Sequence, residues 1–137
     1  MKGLGKAAFS VFALIGVCTA IAATPGLAQG DTLAMLSSLD KGEWVVRERG
    51  TDRQRRICVR TGHELIQIRH RQGRCNRFVV EDGASQVTVQ YACSGNGYGR
   101  TNIRRETASL VQIESQGFSG QLPFEVTAEA RRVGNCR

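Results

Sequence analysis

Arg77-Phe-Val-Val-Glu-Asp-Gly-Ala-Ser-Gln-Val-Thr-Val-Gln-Tyr-Ala-Cys93 decides the fold. Two runs rich in β-branched and aromatic residues flank Asp82-Gly83, the pair that accepts the backbone of a tight hairpin turn. The runs 77–81 and 86–93 therefore read as antiparallel strands. Pairing Val80 with Val87 places Phe78, Val80, Val87, Val89 and Tyr91 on one buried face and turns Arg77, Thr88 and Gln90 to water.

The same two-residue alternation extends both ways along the chain. Trp44, Val46 and Glu48 share a face of a strand that starts after Gly42. Gly50-Thr51-Asp52 turns the chain, and 54–60 returns with Ile57 and Val59 on one face and Cys58 on the other. Thr61 to Arg69 reads as a short helix, capped by Thr61 with Glu64 at the third position. After the glycine-rich stretch Ser94–Gly99, the runs 100–106 and 109–116 suggest a second hairpin. Phe124, Val126, Ala128 and Ala130 mark a last strand, and with Trp44, Phe78, Val80, Val89 and Tyr91 they predict a single core. The expected fold is all-β with one short helix: an antiparallel meander curved into a half-barrel or small open barrel.

The first 28 residues have a different character. Lys2 and Lys6 precede an apolar run from Ala7 to Ala23, and Pro25 breaks it. Gly26-Leu27-Ala28 then offers small residues where a signal peptidase reads. This is the pattern of a secretory signal peptide cleaved after Ala28, and it implies a periplasmic or secreted protein. Lipid attachment at Cys18 is disfavoured because Val17 is too large just before it. The chain divides into a signal peptide (1–28), a short N-terminal segment (29–41) in which Asp31 or Thr32 caps a turn carrying Leu33, Leu36 and Leu39, and a single β domain (42–137).

Removing 28 of 137 residues leaves 109, with 17 basic residues against 12 acidic ones, a formal charge of +5. A domain of this size buries only about two-thirds of its unfolded surface, so covalent staples matter. Four cysteines remain: Cys58, Cys75, Cys93 and Cys136. Export favours pairing them as two disulfides. Side-chain phase points to Cys58–Cys75 on the outside and Cys93–Cys136 toward the core. A strict meander opposes this, because it sets Cys93 and Cys136 at opposite strand ends and favours Cys58–Cys136 with Cys75–Cys93.

Gly42-Glu43-Trp44, Ile57-Cys58-Val59-Arg60-Thr61, Gly73-Arg74-Cys75, Tyr91-Ala92-Cys93-Ser94-Gly95 and the ending Arg131-Arg132-Val133-Gly134-Asn135-Cys136 together resemble the exported bacterial domain-of-unknown-function family 3617. The resemblance spans Gly42 to Cys136. It implies a small four-cysteine periplasmic β protein, and it brings no catalytic or binding residue with it. The short stretch between Trp44 and Cys58 lacks the Pro- and Met-rich insertion of many members.

Candidate chemistry is sparse. Cys58, His63, His70 and Cys75 lack the spacing of structural zinc sites. Gly95–Gly99 leads into a strand, whereas a phosphate-cradling loop opens a helix. Ser119 has no partner histidine in nucleophile-elbow order. No catalytic, cofactor-binding or metal site is expected. The anomaly is arginine: Arg53, Arg55, Arg56, Arg60, Arg69, Arg71, Arg74 and Arg77 fall within 25 residues, against Glu64 alone. Arginine binds carboxylate and phosphate through a planar fork of N–H groups. The expected partner is anionic: lipid headgroups, polysaccharide or an acidic protein. Nucleic acid is disfavoured, because export removes it and interleaved aromatics are absent. The leading expectation is a non-enzymatic envelope module with this surface. The alternative is an inhibitor that docks the loop around Tyr98 onto an extracellular hydrolase.

Overall fold

The computed structural model describes residues 33–71 and 74–137. The signal segment, Cys18, Asp31 and Thr32 lie outside them. Seven strands follow a short helix: α1 (Ala34–Ser37), β1 (Gly42–Glu48), β2 (Gln54–Val59), β3 (Cys75–Asp82), β4 (Gln86–Cys93), β5 (Gly97–Thr107), β6 (Leu110–Ser119) and β7 (Leu122–Gly134). They form one antiparallel sheet in the order β2-β1-β7-β6-β5-β4-β3. β3 to β7 run as a meander, and the β1–β2 hairpin attaches to the far side of β7. The sheet is open, with β2 and β3 as its two edges.

Alternation sets the inner face. Trp44, Val46, Ile57, Val59, Val87, Val89, Tyr91, Phe124 and Val126 are all buried, as their two-residue periods require. A single sheet needs a cover, and two segments supply it. The turn α1 and the residues flanking it contribute Leu33, Met35, Leu36 and Leu39. It is fixed by the Trp44 indole N–H, which donates to the Asp40 carbonyl at 2.9 Å. The connector between β2 and β3 contributes Leu65, Ile66, Ile68 and His70. These four are not spaced along one face of a helix, so regular helix would leave some of them outside. The expected helix over 61–69 is accordingly reduced to a 3-10 turn at His63–Leu65. Gly62 precedes it with φ of 88°, and a Cβ there would lie 2.6 Å from the Leu36 carbonyl oxygen. Glycine thus lets the connector pack directly on α1.

The hairpin exists, but its register differs from the expected one. Val79 pairs with Val89, Phe78 with Gln90 and Asp82 with Val87, and Val80 is an extra residue at a bulge. The strands are joined through Gly83-Ala84-Ser85, a longer link than a two-residue Asp-Gly turn. Phe78 and Val80 therefore leave the core and are 69% and 41% exposed. Arg77 moves to the inner face, opposite Tyr91. Thr88 is buried on the outer face, held by Asn102 and Glu81.

The disulfides are Cys58–Cys136 and Cys75–Cys93, which replaces the pairing expected from side-chain phase. Cys75 stands directly opposite Cys93 across β3 and β4. On β7, a register shift occurs where Trp44 faces Arg132 and Glu43 faces Gly134. That shift reverses the phase beyond Arg132 and brings Cys136 to the side of Cys58. Both corrections have one cause: a single extra residue inverts every face that follows it.

Candidate anion-binding site

The gap between the two sheet edges is a groove of about 860 Å³. Ile57 and Cys58 of β2 form one wall, Cys75 and Arg77 of β3 the other, and the connector crosses between them. Arg60, Arg71, Arg74 and Arg77 all line it. Sequence places these arginines 17 residues apart at most, and the open sheet folds them around one space.

The eight expected arginines separate by their counter-charges. Arg56 pairs with Glu43 at 2.5 Å on the outer face. Arg53 and Arg55 share Glu48, at 3.9 and 3.8 Å. Arg69 lies over the Phe124 ring, 5.7 Å from its centre. Among the described residues, no carboxylate lies within ion-pair distance of Arg60, Arg71, Arg74 or Arg77. Arg53, Arg55 and Arg69 line a separate hollow with Val46, Glu48, Asp52 and Gln54. Burial pushes the Arg55 guanidinium below its ordinary value, Glu48 opposes this, and Arg71 and Arg69 add to the depression. The two clusters therefore feel each other's charge.

The one acid in the groove is committed elsewhere. The Glu64 carboxylate accepts the backbone N–H groups of Arg60, Thr61 and Gly62, at 3.2, 3.3 and 2.9 Å. Burial alone would raise its pKa; the hydrogen bonds from its own N–H, from Thr61 and Arg60 and from the Thr61 hydroxyl hold it below the usual value. The other polar lining residues are committed as well. Arg77 donates to the Gln67 amide oxygen at 2.8 Å and to His63 Nδ1 at 3.1 Å. A guanidinium only donates, so His63 Nδ1 is the accepting nitrogen here.

Beneath the connector lies a buried polar chain that sequence reading missed. His70 Nδ1 meets the Tyr91 hydroxyl at 3.0 Å, and Nε2 meets the Asn96 carbonyl at 2.9 Å. A carbonyl can only accept, so Nε2 donates and Nδ1 accepts from Tyr91. Thr101 donates to the Ile66 carbonyl at 2.7 Å and lies 2.8 Å from the Ser115 hydroxyl. Burial raises the Tyr91 pKa, opposed by Ser115 and Arg69. These bonds pin the connector to the sheet. Thr101 and Ser115 sit at inward positions of β5 and β6, and that placement was the only signal in the sequence. Cys58 and Cys75 are disulfide-bonded and both nitrogens of His70 are engaged, so the candidate zinc quartet offers no ligand set.

Tyr98 belongs to β5, not to a loop. It packs on Phe118 at 5.5 Å between ring centres, and both stay substantially exposed. Ser119 ends β6. Among the described residues no helix is long and apolar enough to cross a membrane. The two disulfides point to an oxidising compartment. Comparison of the chain with protein-family models, curated proteins and solved structures gave no match.

Proposed function

We propose that this protein is an exported, non-enzymatic binding module of the bacterial envelope that holds an anionic partner in the groove between β2 and β3. The observation that carries this is the set Arg60, Arg71, Arg74 and Arg77, four guanidiniums around one space with no carboxylate in ion-pair distance among the described residues. Cations kept together without counter-charges repel one another, and an anion relieves that cost. The signal segment, with cleavage after Ala28, supports a periplasmic or secreted location. The four-cysteine pattern supports kinship with the exported domain-of-unknown-function family 3617. The partner classes are lipid headgroups, polysaccharide and acidic protein.

The test compares the exported protein with its Arg60, Arg71, Arg74 and Arg77→Gln variant, using anionic vesicles and envelope polysaccharide at low and high salt. Wild-type binding should weaken steeply with salt, because exposed charges are screened beyond about 8 Å at physiological ionic strength. Equal binding by both proteins at both salts would sink the proposal.

A second reading is an inhibitor that docks onto an extracellular hydrolase. The exposed, mutually tilted Tyr98 and Phe118 rings favour it, since aromatic side chains at a surface make good anchors. Salt-resistant capture of one hydrolase, lost in Tyr98→Ala, is its distinguishing result.

A further inference from the structure

We infer that the ligand of the β2–β3 groove is a compact anion carrying two or more phosphate groups. This rests on the groove being an anion site and goes on to its ligand class. Three features converge on it.

The first is hydrogen-bond polarity. Among the described lining residues, each polar side-chain acceptor already holds at least one hydrogen bond. The Glu64 oxygens hold three backbone N–H groups. The Thr61 hydroxyl is bonded to Glu64 and accepts the His63 N–H at 3.3 Å. The Gln67 amide oxygen and His63 Nδ1 both accept from Arg77, and the Gln67 amide nitrogen donates to the His70 carbonyl. Among the described side chains, what is left for a ligand is chiefly guanidinium N–H. A wall rich in donors favours a ligand rich in acceptors. Phosphate oxygens satisfy that with acceptors alone, whereas sugars and peptides also bring O–H or N–H donors that find few acceptors among these side chains.

The second is charge. Four arginines and one glutamate give the lining a formal +3. A phosphomonoester carries about −1.5 to −2 near neutral pH, so two of them match the groove. Two carboxylates leave it under-neutralised. The third is size. The groove, at about 860 Å³, lies in the range of small-molecule sites and far exceeds one phosphate ion. Guanidiniums also arrive from two elements, the connector and β3. Two separated anionic groups use that arrangement better than one.

The experiment titrates the full exported protein, disulfides formed, by calorimetry at low ionic strength. The probes are inorganic pyrophosphate, orthophosphate and citrate, the last being a tricarboxylate of charge similar to pyrophosphate. Phosphatidylcholine vesicles containing diacylglycerol pyrophosphate, a lipid whose headgroup carries two phosphates, serve as a separate arm. Pyrophosphate should bind at least about tenfold tighter than citrate or orthophosphate. Arg60, Arg71 and Arg74→Gln together should abolish that preference. Arg47, Arg100 and Arg137→Gln, an equal loss of charge at exposed positions outside the groove, should keep it. Vesicle binding that pyrophosphate displaces assigns the phosphates to a lipid surface; pyrophosphate binding without vesicle binding assigns them to a soluble ligand. Either outcome supports the inference. Citrate binding as tightly as pyrophosphate overturns the ligand class and leaves the anion site standing. Salt-insensitive or absent binding of every probe overturns the anion site itself. Equal losses in the two triple variants overturn its location.

Discussion

Cys75 and Cys93 face each other directly across β3 and β4, bonded to one another on the inner side of the sheet. That one link fixes which residues of β3 look inward. With Cys75 inside, Arg77 and Val79 follow, and Phe78 must look out. Phe78→Ala is therefore expected to cost less than about 1 kcal/mol, as a surface substitution does. Val89→Ala, on the buried face of the same hairpin, should cost about 2–3 kcal/mol. Chemical denaturation of both variants is the check. A larger loss for Phe78 than for Val89 would restore the register in which Val80 faces Val87.

The two disulfides close loops of different length. Cys58 and Cys136 are 78 residues apart, Cys75 and Cys93 only 18. Chain entropy then assigns about 4.5 kcal/mol to the first and about 3 kcal/mol to the second. Paired Cys→Ala variants should rank in that order in urea melts, and non-reducing peptide mapping should recover a Cys75–Cys93 fragment. A Cys58–Cys75 fragment would refute the connectivity.

How far the sequence reveals this fold depends on where the two-residue period holds. It holds through β1, β2, β4 and most of β7, where Trp44, Ile57, Val89 and Phe124 are buried as their alternation demands. It fails after Val80 and near Val133, each an extra residue at a register shift. Nothing in Phe-Val-Val-Glu marks the bulge, because apolar residues occupy both phases there. The connector fails for another reason. Leu65, Ile66, Ile68 and His70 are buried by an irregular path that carries no period at all. The arginine cluster is visible as composition. Its division is not, because the acids that neutralise Arg53, Arg55 and Arg56 come from β1, across a strand pairing.

The Tyr91–His70 bond offers a direct probe of the connector's anchorage. Tyr91→Phe keeps the ring over Gly99 and removes only the hydroxyl. His70 Nδ1 then loses its donor in a site that is 1% exposed. Leaving a buried polar atom unpaired costs about 1–3 kcal/mol. Thermal unfolding should register that loss, with faster amide exchange in the connector. An unchanged melting temperature would mean the contact contributes nothing.

Glu64 gives the connector a pH dependence. Its carboxyl is held below its ordinary value of 4.5 by the hydrogen bonds it accepts. The unfolded chain thus takes up the proton more readily than the folded one, and the folded form gains stability wherever the group is ionised. That gain is complete above about pH 4.5 and disappears as pH falls through the lower, folded-state value. Glu64→Gln should be less stable by about 1 kcal/mol at neutral pH, in line with loss of a capping group. The gap to wild type should close under acid. A gap that is constant from neutral to acid pH would show that the charge is irrelevant.

Arg71 and Arg74 are exposed, and neither has a carboxylate within ion-pair distance among the described residues. If they served the fold, replacing them would weaken it. If they serve a ligand, the empty groove carries their repulsion as a cost, and relieving it should help the free protein. Arg71→Gln with Arg74→Gln is therefore expected to leave stability unchanged or raise it by a few tenths of a kcal/mol, about the size of like-charge effects at a surface. The gain should shrink in high salt, where the repulsion is already screened. Arg56→Gln provides the contrast, since it removes the partner of Glu43 on the outer face and should bring no gain. A loss of more than about 1 kcal/mol in the Arg71 and Arg74 double variant would mark these arginines as parts of the fold and remove the basis for a ligand in the groove.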